Sequence, residues 1–134
     1  MSFTRTDELA ATFLENACAD PLMANGPAAH ARRSNTALRM LKRYPEIARH
    51  SIHTAVVCGD PEEVERILAQ RPEAACESGG PLRTRQRGEL NKFWTPLLHL
   101  CYGRLPLAAA SDNAVAIARL LLDRGANPND YFEV

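Results

Sequence analysis

The sequence carries no surplus of charge. Its 16 lysines and arginines balance 16 aspartates and glutamates, which argues against a generic polyanion binder and against an acidic solvating tail. Paired cysteine spacing is also missing. Cys18, Cys58, Cys76 and Cys101 stand 40, 18 and 25 residues apart, and among His30, His50, His53 and His99 only His50 and His53 are three apart, with no H-E-x-x-H. Zinc sites usually join two such closely spaced ligand pairs and no second pair is present, so no metal and no cofactor is expected, and the cysteines read as reduced and mostly buried. Neither G-x-x-x-x-G-K-[ST] nor G-x-G-x-x-G occurs to cradle a nucleotide. No stretch approaches the ~18 apolar residues of a membrane span. Asp7 and Glu8 stand where a signal peptide would be apolar, so a cytoplasmic location away from membranes is expected. Gly and Pro are near average usage, which excludes low complexity, and 134 residues suit one domain with a sizeable core.

What the sequence does have is repetition. Ala37-Leu38-Arg39-Met40-Leu41-Lys42-Arg43-Tyr44-Pro45-Glu46-Ile47-Ala48 parallels Val64-Glu65-Arg66-Ile67-Leu68-Ala69-Gln70-Arg71-Pro72-Glu73-Ala74-Ala75, with Leu41 to Leu68 and Pro45 to Pro72 both 27 residues. A third copy runs from Ala118 to Ala126, and Leu122 lies 54 residues beyond Leu68. Apolar residues three and four apart predict a helix in each copy, and fixed-interval self-similarity predicts stacked helical units.

Each of these helices has a shorter partner upstream. Leu9, Ala10, Phe13, Leu14 and Ala17 share one face of a helix over 7–18, with Thr6 as its cap, paired with a helix over 35–44. A second pair covers 51–58 and 61–70. Between them Gly59 takes a left-handed position, Asp60 caps, Pro61 opens the next helix and Glu63 completes a capping box. A third pair covers 95–104 and 113–124, opening on Thr95-Pro96. Residues 19–34 read as an irregular connection, and 76–94 as an extended loop or elongated β-hairpin.

These features resemble ankyrin repeats, whose motif is T-P-L-H-x-A, a glycine turn, a V-x-x-L-L helix and then G-A-x-x-N. The third unit carries Thr95-Pro96-Leu97 and Leu120-Leu121-Leu122-Asp123-Arg124-Gly125-Ala126-Asn127-Pro128-Asn129. The second matches through Ile52-His53-Thr54-Ala55, Gly59-Asp60, Val64, Ile67 and Leu68, and the first only in its second helix, as a capping repeat would. The departures are specific. His50 and Ser51 occupy the Thr-Pro place in the second unit. In the third, Leu98 occupies the histidine place with His99 one residue late, so neither unit can make the family's threonine–histidine hydrogen bond. The third unit is also long, and its extra residues, around Tyr102 to Ala110, are expected to extend the first helix or add a bulge. The ~33-residue period of the family is therefore not kept strictly.

The resemblance implies an all-α, ankyrin-type helical-repeat solenoid, a single domain with repeats at about 7–48, 50–75 and 94–128. It also implies a non-enzymatic module that recognises a protein partner through a concave face and loop tips. On this sequence those positions are Arg83, Arg85, Arg87, Lys92, Trp94, His99 and Tyr102. Trp94 reads either as a core anchor or as a contact. Catalysis is not expected: His53 and Cys58 lie roughly 500° apart around a helix, and His99 and Cys101 roughly 200°. Two other readings remain. One is a regulatory or targeting segment of a larger enzyme; the other is nucleic-acid binding through the basic loop. Against the second, residues 32–49 and 83–92 are basic while 60–77 are acidic, and alternating sign suits solvated faces better than a continuous nucleic-acid stripe. Finally, the helix over 113–124 is apolar nearly all round and Tyr131-Phe132-Glu133-Val134 reads like the start of another hairpin. A further repeat or self-association at this edge is expected.

Overall fold

The computed structural model describes residues 4–18, 27–78 and 94–129. Among them every regular element is helical. The order is α1 (Arg5–Ala17), α2 (Pro27–Arg43), a 3-10 turn (Pro45–Arg49), α3 (Ile52–Cys58), α4 (Pro61–Gln70), a second 3-10 turn (Pro72–Cys76), α5 (Pro96–Tyr102), α6 (Ala108–Asp112) and α7 (Ala114–Asp123). None of these helices is long and apolar enough to cross a membrane.

Local chemistry sets most of the boundaries. The α1 cap is Thr4 rather than Thr6, because Thr4 and Asp7 satisfy each other: Asp7 N–H donates to Thr4 Oγ1 at 3.1 Å and Thr4 N–H to Asp7 Oδ2 at 3.0 Å. α2 starts at Pro27, well inside the stretch expected to be irregular. Proline is well suited to a first helical turn, and Ala28, Ala29 and Ala31 are strong helix formers. α2 ends at Arg43 and α4 at Gln70, because Tyr44 and Arg71 each precede a proline and a residue in that place is pushed out of the helical region. The two Pro-Glu-x-Ala segments then fold alike, each as a 3-10 turn that buries Ile47 or Ala74 and Ala75.

The Gly59-Asp60-Pro61 corner forms as its residues require. Gly59 sits at φ 73 and Asp60 Oδ1 accepts from Glu63 N–H at 3.1 Å. The reciprocal half of the capping box does not form, because the Glu63 carboxylate is taken by Arg66 through two bonds of 2.9 and 2.6 Å. In α3 the cap is Ser51, paired with Thr54 in both directions. The helix register is thus one residue later than the T-P-L-H alignment implies, and Thr54, not His53, holds the third helical position.

The third unit departs most from expectation. α5 ends at Tyr102; the inserted residues neither lengthen it nor bulge. Gly103 leaves the helix in extended conformation, Pro106 cannot donate to a continuing ladder, and the chain makes the separate short helix α6. α6 packs on the Gly59 corner so closely that a Cβ at Gly59 would fall 2.4 Å from the carbonyl oxygen of Ala109. Asn113 Nδ2 donates to Gly59 O at 2.9 Å and fixes the same corner.

α1 pairs with α2, α3 with α4 and α5 with α7, while α3 lies between α1 and α5 and α4 packs on α7. α3 is buried along its whole length and divides the interior. Val57 and Cys58 join Phe13, Leu14, Ala17, Ile47, Trp94 and Leu98, whereas Ile52, Ala55 and Val56 join Val64, Leu68, Ile117 and Leu121. The segment after α5 returns to the first unit, where Arg104 N–H donates to Ala17 O at 2.6 Å and Cys18 and Gly103 form an isolated antiparallel bridge.

Candidate functional site

Arg83, Arg85, Arg87 and Lys92 lie outside the described residues. The other three candidates come together at the junction of α3 and α5. Trp94 and His99 meet edge-on with ring centres 5.4 Å apart, Trp94 and Tyr102 lie 5.2 Å apart, and His53 of α3 stands 4.6 Å from His99. This corrects two expectations. Trp94 is 3% exposed and His99 0%, so their rings hold α5 against α3 and do not face a partner. Trp94 is the core anchor of the two roles open to it. Tyr102 is half-buried and is the one member of the three that reaches the surface.

Hydrogen bonding sets which ring nitrogen carries the proton in each histidine, and burial keeps both rings neutral. His99 Nδ1 donates to Thr95 O at 2.9 Å, leaving Nε2 as a bare lone pair, and Nε2 is buried without a hydrogen-bond partner. His53 Nε2 donates to Glu77 O at 2.8 Å. Burial disfavours the imidazolium at both positions. It pushes His99 down to about 3, with neighbouring His53 adding to the effect, and lowers His53 against the opposing pull of the Glu77 carbonyl. Two neutral, enclosed imidazoles thus pack α5 against α3.

The cysteines offer no activated thiol inside. All four are free. Cys18 and Cys58 are buried and pushed up to about 12 by desolvation. Cys76 is exposed and donates to Gly125 O at 3.4 Å; Cys101 is exposed as well. Among the described residues no three His, Cys, Asp or Glu side chains gather as a metal site.

Two surface features remain. On α7, Ile117 and Leu121 are buried while Val115 and Leu122 are 65% and 41% exposed. Val115 and Leu122 share one side, being seven residues apart. On α2, Arg32, Arg39, Lys42 and Arg43 are all exposed. Beside them Arg5 Nη2 donates to Tyr44 Oη at 3.4 Å, and the Arg5 and Arg43 guanidiniums stand 5.7 and 5.5 Å from the Tyr44 ring centre. The Arg5 bond and neighbouring Arg43 lower the Tyr44 phenol below its ordinary range.

No family model, curated protein or solved structure matches this chain.

Sequence reasoning missed both the histidine contact and the arginine row. The two histidines are 46 residues apart, and only the packing of α3 on α5 brings them together. The arginine row did leave a signal, the basic excess of residues 32–49, but with α2 read as starting at 35 Arg32 fell outside the helix and the common face was not visible.

Proposed function

We propose that the chain is a divergent ankyrin-type helical-repeat module and that its role is non-enzymatic recognition of a protein partner. The observation that carries this reading is the paired architecture. Three units each place a short first helix beside a longer second one or its equivalent, and α1, α3 and α5 lie in a row. The 27-residue displacement between Pro45 and Pro72 recurs as two equivalent 3-10 turns. Stacked units of this kind bury a continuous core and leave an extended surface for contacts. Enclosed, neutral histidines support a binding role over a catalytic one. Arg83, Arg85, Arg87, Lys92 and the half-buried Tyr102 are the contacts retained from the family resemblance.

The test is capture by the immobilised chain beside its Arg83→Glu, Arg85→Glu, Arg87→Glu variant. Recognition through the loop predicts a protein retained by the first and lost from the second, with the helical circular dichroism unchanged. Retention of nucleic acid instead, weakening steeply as salt rises, would overturn the reading.

A further inference from the structure

Arg32, Arg39 and Arg43 recur at i, i+7 and i+11 along α2, which places them on one side of the helix. Thr36, at i+4, belongs to the same row. Arg39 leans along it, donating from Nη2 to Thr36 Oγ1 at 3.2 Å. At the C-terminal end Arg5 crosses from α1 to the Tyr44 hydroxyl, so that two guanidiniums from two helices converge on one phenol. Lys42 and Arg43 in the last turn also suit the helix dipole. The dipole gives no reason for Arg32, Arg39 or Arg5.

The second unit treats its arginines differently. Arg66 is paired with Glu63 and Arg71 with Glu77, each within 3.0 Å. Among the described residues no carboxylate stands within ion-pair distance of Arg5, Arg32, Arg39, Lys42 or Arg43. The acceptors that Arg5 and Arg39 do have are neutral hydroxyls. The row therefore carries uncompensated positive charge over about 16 Å, eleven residues at ~1.5 Å each.

We propose that this face of the first unit docks a short acidic segment of a partner protein, with carboxylates paired along Arg32, Arg39 and Arg43 and the segment's end held by Arg5 and Arg43 beside Tyr44. The proposal rests on the protein-recognition reading and names its partner's chemistry. About five residues of extended peptide cover the row at ~3.3 Å each. A nucleic acid fits less well, since Glu62, Glu65 and Glu73 are exposed on α4 and the turn after it, so the exposed charge changes sign from the first unit to the second. A nucleic-acid surface is better served by a continuous basic stripe. Tyr44, the aromatic ring at the row, is already attended by two guanidiniums and makes a poor stacking platform.

The probe is a fluorescein-labelled decaglutamate peptide titrated into the whole chain at low salt. Saturable binding is expected, weakened about tenfold or more by Arg39→Glu with Arg43→Glu. It should stay within about twofold for Arg119→Glu with Arg124→Glu, at the other end of the molecule. Arg39→Gln with Arg43→Gln, which adds no repulsion, should weaken binding in the same direction with helical circular dichroism intact. Failure of decaglutamate to bind, equal losses in the α2 and α7 variants, or loss of helix in both α2 variants would overturn the proposal. Tighter binding of a ten-nucleotide single strand than of the peptide would do so too. A natural partner that the α2 variants still retain would sink this docking face and leave protein recognition standing. A chain that binds decaglutamate but captures no protein would do the reverse.

Discussion

His99 shows how one buried side chain couples this fold to pH. Its imidazole is neutral, its Nδ1–H is satisfied by Thr95 O, and its Nε2 is buried with no hydrogen-bond partner, in a ring packed against His53 and Trp94. Unfolded, the same group titrates near 6.5. Its folded value is depressed, so the unfolded chain binds the extra proton and stability falls as pH drops below about 6.5 toward 3. The slope is at most about 1.4 kcal/mol per pH unit for this histidine. His53 adds to it in the same direction. Other charged groups near the pair are Glu77, whose carbonyl accepts from His53, and His50, whose positive form disfavours a charge on His53. Asp7 acts in a separate window. Its carboxyl is held down to about 2 by the His50 hydrogen bond and the Thr4 contacts, so its contribution is present above about pH 4 and is lost only below it. Denaturant titrations at pH 7.5, 6.5 and 5.0 should show stability declining across the series. His99→Leu should remove about 1 kcal/mol or more of that decline. A wild-type stability that stays level from pH 7.5 to 5.0 would contradict the buried neutral pair.

At the scale of the helix, α7 separates composition from position. Eight of its ten residues are Ala, Val, Ile or Leu, and by composition alone it is apolar nearly all round. Packing is not equal. Ile117 and Leu121 meet α4 and α5, while Val115 stands in solvent. Ile117→Ala should therefore cost about 2–5 kcal/mol in equilibrium unfolding, and Val115→Ala less than about 0.5. Comparable losses at both positions would mean that α7 is rotated about its axis. The contrast also marks how far the sequence could be read. The Gly59-Asp60-Pro61 corner was legible because each residue acts on its own backbone through φ, a side-chain acceptor or a fixed ring. So were the two stops before Pro45 and Pro72. The α1 cap was misplaced at Thr6, and the T-P-L-H alignment at His50-Ser51 ran one residue ahead of the true cap at Ser51, since only the reciprocal bonds of Thr4 to Asp7 and of Ser51 to Thr54 decide the registers. α6 was illegible for a different reason. Its five residues gain their place by packing on Gly59 and through Asn113, a contact across more than fifty residues of chain.

For the whole molecule, the feature that matters is the hydrogen bond from Arg104 to Ala17 with the adjoining Cys18–Gly103 bridge. A stacked array in which each unit touches only its neighbours frays from its ends and loses units one at a time. Here the third unit's connection is clasped to the first, and Leu105 shares a core with Phe13. Far-ultraviolet circular dichroism and Trp94 fluorescence should therefore report one coincident unfolding transition. Arg104→Pro removes the donated N–H while Gly103 already holds the extended conformation, φ −64 and ψ 138, that a following proline requires. The two transitions should separate in that variant; coincident transitions that survive the change would show that the clasp is incidental. The clasp has a kinetic side as well. It joins groups 87 residues apart, whereas the other backbone bonds among the described residues outside the helices are local, so it can close only after the units between have found their order. In native-state hydrogen exchange, amides of α1 and α7 should then open with one shared free energy, the chain's two ends behaving as a single cooperative unit.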